Sequence, residues 1–129
     1  MNTDRKSLTL EYLNAVGNRD YGKLERMLVP DLRFRGPANT RSSAADFIGA
    51  LKRLSAIHVR NDVKRVFVDG DEVCVIYDFV TDTQSGALST IEWLHFDGSR
   101  IRSIDLYYDR LPWQAVLQTI ADRAAQSAE

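Results

Sequence analysis

At Ile57 the hydrophobic pattern of the chain changes period. Upstream, apolar residues recur at the three- and four-residue intervals of a helix face. Downstream they alternate or run together as strand residues do. The turn signals VDGDE, TQSGA and FDGSR cut the downstream segment into four strands. These connections are short enough for hairpins and too short to cross over between parallel strands, so the four strands form an antiparallel meander. Helices gathered first and antiparallel strands afterwards imply an α+β domain, a curved antiparallel sheet packed on three N-terminal helices.

The helices can be placed from their caps and stripes. Residues 4–16 set Leu8, Tyr12, Ala15 and Val16 on one face with Leu10 and Leu13 beside it, and Gly17 supplies the left-handed residue that ends a helix. Asp20 caps a second helix carrying Tyr21, Leu24, Met27 and Leu28, which Pro30 stops. DLRFRGP alternates Leu32 and Phe34 against Arg33 and Arg35, as a short strand does. Ser42 or Ser43 caps a third helix with Phe47, Leu51 and Leu54 as its buried stripe and Lys52 and Arg53 facing out. Pro112 opens an extra C-terminal helix, over about 112–125, that presents Trp113, Val116, Leu117, Ile120 and Ala124 on one face. Within the first meander strand, RND breaks the alternation and predicts a bulge between Arg60 and Lys64. The closing AAQSAE is expected to fray.

The 129 residues suit a single domain spanning 1–129, and a net charge of −1 offers no broad field for a phosphate backbone, so nucleic acid is not an expected partner. A single cysteine, Cys74, allows no intrachain disulfide; it reads as a small buried hydrophobe, and the cytoplasm is the default location. MNTDRKSLTLEYL lacks the uninterrupted apolar core of a secretion signal, and no run is long enough to span a membrane. The chain shows no metal-ligand spacing, no nucleophile elbow, and no phosphate-binding or dinucleotide-binding glycine loop, so no metal and no cofactor is expected.

The strand STIEWLHF poses a chemical question. Thr90, Glu92, Leu94 and Phe96 share one face and Ile91, Trp93 and His95 the other, so both faces are mostly apolar and the carboxylate of Glu92 is out of place.

The order of elements, together with EYLNAVGNRDYGKLERML, VDGDEVCVIYDF and LHFDGSRIRSIDLYYD, resembles the nuclear transport factor 2-like superfamily, particularly its SnoaL-like polyketide cyclase branch. The resemblance runs from about Leu8 to Asp109. It implies a cystatin-like cone, with a conical pocket between sheet and helices. The superfamily includes ketosteroid isomerases, scytalone dehydratase, limonene-epoxide hydrolases, polyketide cyclases and noncatalytic binding proteins, so residues must choose the reaction. Tyr12 resembles the isomerases' catalytic tyrosine. Glu92 falls where they carry an oxyanion-binding aspartic acid, so a desolvated, protonated and donating carboxyl is implied there; that aspartic acid is a standard case of the effect.

The departures are specific. Gly36 precedes Pro37 where the isomerases place their base, and Leu106 stands where epoxide hydrolases and many cyclases have an acid. His58 falls close to a histidine of scytalone dehydratase, whose other functional tyrosines and second histidine are replaced by Val16, Gly36 and Thr83 at the nearest positions. An imidazole titrating near neutrality can take and return a proton. The catalytic set implied is therefore Tyr12, His58 and Glu92. The pocket lining implied is Val16, Phe34, Phe47, Leu51, Val75, Tyr77, Phe79, Thr90, Leu94, Leu106 and Tyr108. Each catalytic candidate has a plainer reading: a core tyrosine bonded to a carbonyl, a glutamate paired with Arg33 or Arg35, a histidine at a wet strand end.

These residues suggest a cofactor-independent isomerase, cyclase or dehydratase acting on a small, mostly apolar carbonyl or hydroxyl compound. The alternatives are a noncatalytic ligand-binding dimer of the same fold and a protein-interaction module with an exposed groove. Trp93, His95, Cys74, Ile76 and Tyr107 lie on the outer sheet face, which a second copy would cover, and Asp78, Asp105 and Asp109 read as rim or interface charges.

Overall fold

The computed structural model describes residues 4–127. Its elements follow in the order α1 (Arg5–Gly17), α2 (Tyr21–Met27), β1 (Leu28–Arg35), β2 (Thr40–Arg41), α3 (Ala44–Leu54), β3 (His58–Asp69), β4 (Glu72–Thr81), β5 (Ala87–Asp97), β6 (Arg100–Tyr108) and α4 (Arg110–Ser127). Side-chain caps start the first three helices. Asp4 accepts from the Lys6 and Ser7 amides, Asp20 from Lys23 and Ser43 from Asp46.

The six strands form one curved, unclosed sheet in the order β2-β1-β6-β5-β4-β3. The meander β3–β6 is antiparallel throughout, as its hairpins require. The expectation of a purely antiparallel sheet needs one amendment: β1 lies parallel to β6, so the sheet is mixed. A strand that comes before three helical turns and a meander has enough intervening chain for such a crossover.

Other boundaries also differ. Gly17 stays helical, and the left-handed residue after α1 is Arg19, with φ of 57°. Its guanidinium donates to the carbonyls of Ser55 (2.9 Å) and His58 (3.2 Å), contacts that hold a conformation non-glycine residues rarely adopt. The chain leaves α2 at Leu28, before Pro30, and Pro30 falls within β1 where pairing to β6 slips between Leu28 and Arg33; a residue without an amide hydrogen suits that slip. In β3 the register slips at Val59 and at Lys64, flanking the regularly paired RND rather than lying in it. The last helix begins at Arg110, with Pro112 in its first turn, and is helical through Ser127, so fraying is not seen from Ala124 to Ser127. Ala128 and Glu129, like Met1, Asn2 and Thr3 of the N-terminal segment, lie outside the described residues.

Strict alternation on β4 and β5 buries Val73, Val75, Tyr77 and Phe79 with Leu88, Thr90, Glu92, Leu94 and Phe96, all on the face turned to the helices. The apolar ones among them join Leu8, Tyr12, Leu13, Leu24, Leu28, Leu32, Phe47 and Ile48 in one core. Helix α4 contributes Val116, fully buried, with Trp113 and Ile120 partly so, whereas Leu117 is 55% exposed and Ala124 is exposed. Among the described residues no helix is long and apolar enough to cross a membrane.

Candidate functional site

Between the inner sheet face and the helices lies a cavity of about 300 Å³. Tyr12 and Val16 of α1, Phe34 of β1, and Phe47 and Leu51 of α3 form one part of its wall. Tyr77, Phe79, Thr90, Glu92, Leu106 and Tyr108 come from three meander strands, and Trp113, Leu117 and Ile120 from α4. Ala38, Asn39, Arg41, Ala50, Arg53 and Leu54 complete it. Among the described residues Glu92 is the sole acidic one of this wall: Leu106 stands directly across from it on β6, and Gly36 contributes no side chain.

The register places the central group. Glu92 faces Val75 on one neighbouring strand and Leu106 on the other, while Tyr77 faces Thr90, one pleat repeat along. A tyrosine at that diagonal reaches the carboxyl, and Tyr77 Oη donates to Glu92 Oε2. From the opposite layer Tyr12 Oη donates to Glu92 Oε1 at 2.8 Å. Glu92 is 4% exposed, Tyr77 4% and Tyr12 1%, so a carboxyl sealed from water has both oxygens engaged by hydroxyls. Burial raises the Glu92 pKa above the ordinary carboxylate value, and the two tyrosine hydrogen bonds oppose that rise without reversing it. Burial first, and the neighbouring Glu92 charge second, raise both tyrosines well above their usual pKa, so each keeps its proton. No arginine forms an ion pair with Glu92 among the described residues; Arg35 pairs instead with Asp105 at 3.1 Å.

Residues 9–104 match the SnoaL-like domain family. The chain belongs to that family. No curated protein matches its sequence. Solved structures agree on the fold: a nuclear transport factor 2-like protein of unknown function from Cytophaga hutchinsonii aligns with a TM-score of 0.75 at 20% identity, over 88% of this chain and 97% of the other. A steroid delta-isomerase from Pseudomonas aeruginosa gives 0.75 at 20% over 99% and 96%. A putative polyketide cyclase from Sinorhizobium meliloti gives 0.70 at 15% over 78% and 93%. At such identities the likeness is one of fold.

Within this SnoaL-like domain, three of the residues singled out from sequence do not line the cavity. Val75 and Leu94 share the inner face with Glu92 but are fully buried beneath the helices. His58 is stacked on Phe79, with ring centroids 3.9 Å apart and planes within 8°. Its Nε2 lies 2.9 Å from Asn61 Oδ1, and since Asn61 Nδ2 donates to the Leu13 carbonyl, the oxygen faces the ring and the imidazole nitrogen donates. Burial lowers the His58 pKa, the Asn61 bond countering in part, so the ring is held neutral. The structure therefore brings Tyr12 and Glu92 together and sets His58 one ring behind the wall.

From the sequence pattern Tyr77 reads only as generic aromatic lining. Its position opposite Thr90, two residues from Glu92 along β5, was readable from the hairpin register. Arg41, Asn39 and the α4 residues carried no such signal, because a loop and a C-terminal helix can dock in many ways.

Proposed function

We propose that this SnoaL-like domain is a cofactor-independent acid–base enzyme, of the isomerase, cyclase or dehydratase class, acting on a small, mostly apolar carbonyl or hydroxyl compound. The observation that carries this reading is the cavity's sole carboxyl, desolvated and bonded by two tyrosines that also line the cavity. In the proposed step, which starts from ionised Glu92 accepting from both hydroxyls, a tyrosine oxygen takes a proton from the substrate as its own proton passes to the carboxylate. Reversal of the relay delivers the proton to a different substrate atom. A carboxyl of raised pKa is a stronger base than an exposed one, and in a dry cavity the tyrosine hydroxyls also stabilise developing negative charge on substrate oxygen. With Glu92 reached through Tyr12 and Tyr77, the tyrosines contact the substrate and Glu92 stores the proton.

The competing reading is a noncatalytic binder that retains the cone. Small enolisable ketones in deuterium oxide separate the two without knowledge of the natural substrate. The enzyme reading expects hydrogen–deuterium exchange beside the carbonyl, seen by proton NMR, to be accelerated by the protein and to fall at least tenfold in Tyr12→Phe/Tyr77→Phe. Exchange equal in both proteins across a panel of such ketones leaves the binder.

We also propose that the domain pairs with a second copy through the outer sheet face. Phe67 (51% exposed), Tyr107 (50%), Ile91 (37%) and Trp93 (37%) line up there with half-buried Cys74 and Ile76. Apolar side chains gathered on one face favour burial. Sedimentation at micromolar concentration is expected to give twice the chain mass, and Trp93→Glu to give one; a monomer in both removes the pairing.

A further inference from the structure

Two residues of the cavity wall each have a buried side-chain nitrogen with no partner among the described residues. Arg41 Nε and Trp113 Nε1 are both buried, and neither has a hydrogen-bond acceptor. Both residues line the cavity. Both atoms are sealed from the cavity as well as from outside water, whereas Arg41 as a whole is only half-buried, so a ligand would meet the rest of its guanidinium. Arg41 forms none of the ion pairs among the described residues. It also lines a second, polar groove next to the cavity, where Asp105 is already engaged by Arg35 and Asp46 makes no ion pair with it. Phe34 is likewise shared by cavity and groove. The cavity wall thus carries Arg41 and Arg53 as cations against one acid among the described residues, Glu92.

We infer that the cavity binds a small amphipathic carboxylate, its apolar body within the aromatic wall and its charge accepted by the guanidinium of Arg41. This rests on reading the cavity as the reactive site: the Tyr12–Glu92–Tyr77 cluster is left for the atom that exchanges a proton. Arg41 forms no ion pair among the described residues, and its guanidinium, where the apolar wall meets the polar groove, selects the anion over a neutral isostere. A phosphate monoester, carrying more charge, would find a single guanidinium at the edge of an aromatic wall, too little to replace its hydration.

Calorimetric titration at pH 7.5 with hexanoate, phenylacetate and 4-phenylbutanoate, each against its primary amide, tests the assignment, with benzyl phosphate as a further probe. At least one acid is expected to bind roughly tenfold or more tightly than its amide, the margin of a charge-assisted hydrogen bond over a neutral one. Arg41→Gln should reduce that ratio to near one by weakening the acid more than the amide. Tyr12→Phe should preserve the ratio. No acid binding, an acid-to-amide ratio near one, a preference that survives Arg41→Gln, or benzyl phosphate outbinding every acid overturns the inference. If Arg41→Gln does not fold, nitrogen-15 NMR of the unaltered protein decides: the Trp113 indole N–H must shift saturably with the acids, and an unmoved signal overturns it. Acid preference without Glu92-dependent exchange would defeat the acid–base reading alone, and exchange without acid preference would defeat only this one.

Discussion

Glu92→Ala is expected to slow proton exchange in the cavity by a factor of about 10²–10⁴, the range a positioned acid–base group contributes. It should also destabilise the fold, because the hydroxyls of Tyr12 and Tyr77 lose their acceptors while remaining buried, at roughly 1–3 kcal/mol for each group left unsatisfied. Glu92→Gln separates the two effects. Its carbonyl oxygen still accepts from one tyrosine, and its amide nitrogen donates to the oxygen of the other, whose own hydroxyl proton must turn to the cavity, so less stability is lost than in the alanine variant. An amide cannot store a proton, so exchange should fall nearly as far as in the alanine variant. Retention of near-wild-type exchange by Gln would remove the proton-storing role and leave Glu92 as a structural bridge.

The same carboxyl carries a pH signature. Its folded pKa lies above the unfolded value of about 4.5, so between those two values the native state holds a proton that the unfolded state has released. Stability from this group is fully present below the unfolded pKa and declines as pH rises through the folded pKa. Glu92→Gln does not titrate, and its stability relative to the unaltered protein should rise with pH across that window. Urea denaturation at pH 4, 5, 6, 7 and 8 measures this. A relative stability that falls with pH would mean that the tyrosine hydrogen bonds outweigh burial and hold the native pKa low.

The meander, the caps at Asp20 and Ser43 and the inward face of Glu92 were legible because each rests on neighbours in sequence: a hairpin turn, a capping hydroxyl or carboxyl, a two-residue alternation. The parallel pairing of β1 with β6 was not, since partners so far apart in the chain leave no mark on either segment. The helix stop at Gly17 was misplaced for a related reason: Arg19 tolerates its left-handed backbone through bonds to Ser55 and His58, far along the chain. His58 illustrates how finely strand register decides a site. It stands opposite Thr81, and the slip at Val59 separates it from the regular alternation that points Tyr77 and Phe79 into the wall. The resemblance implied a histidine in the pocket; the bulge leaves it stacked behind Phe79. The identity of Glu92's partners needed both layers at once, as Tyr77 is a neighbour in the sheet and Tyr12 belongs to a helix eighty positions away.

Trp113→Ala is the variant expected to test whether α4 belongs to the site. The indole packs against Phe79 (centroids 5.3 Å, planes at 48°) and Tyr108 (5.2 Å, 51°), both wall residues, and it is partly exposed. A fully buried tryptophan would cost about 3–5 kcal/mol; partial exposure and an indole N–H already without an acceptor reduce this to about 2–3 kcal/mol, or very roughly 6–15 °C in Tm for a domain this size. The effect on binding should be larger in kind, since the aromatic face between Phe79 and Tyr108 is lost and the cavity opens on that side. Helix α4 is otherwise held by fully buried Val116, by Ser85 Oγ donating to the Pro112 carbonyl at 3.2 Å, and by Arg123, which reaches the Ala56 carbonyl at 2.7 Å and Asp82 at 3.0 Å. Arg123→Ala removes a half-exposed pair and should cost no more than about 1 kcal/mol. Leu117→Ala, at a side chain already 55% exposed, should leave stability within about 0.5 kcal/mol. The ordering Trp113, then Arg123, then Leu117 follows if α4 is anchored through its first turns and frames the cavity. Equal, negligible losses at all three, with ligand affinity unchanged, would mean that the helix is an appendage and that the cavity's true wall ends at Tyr108.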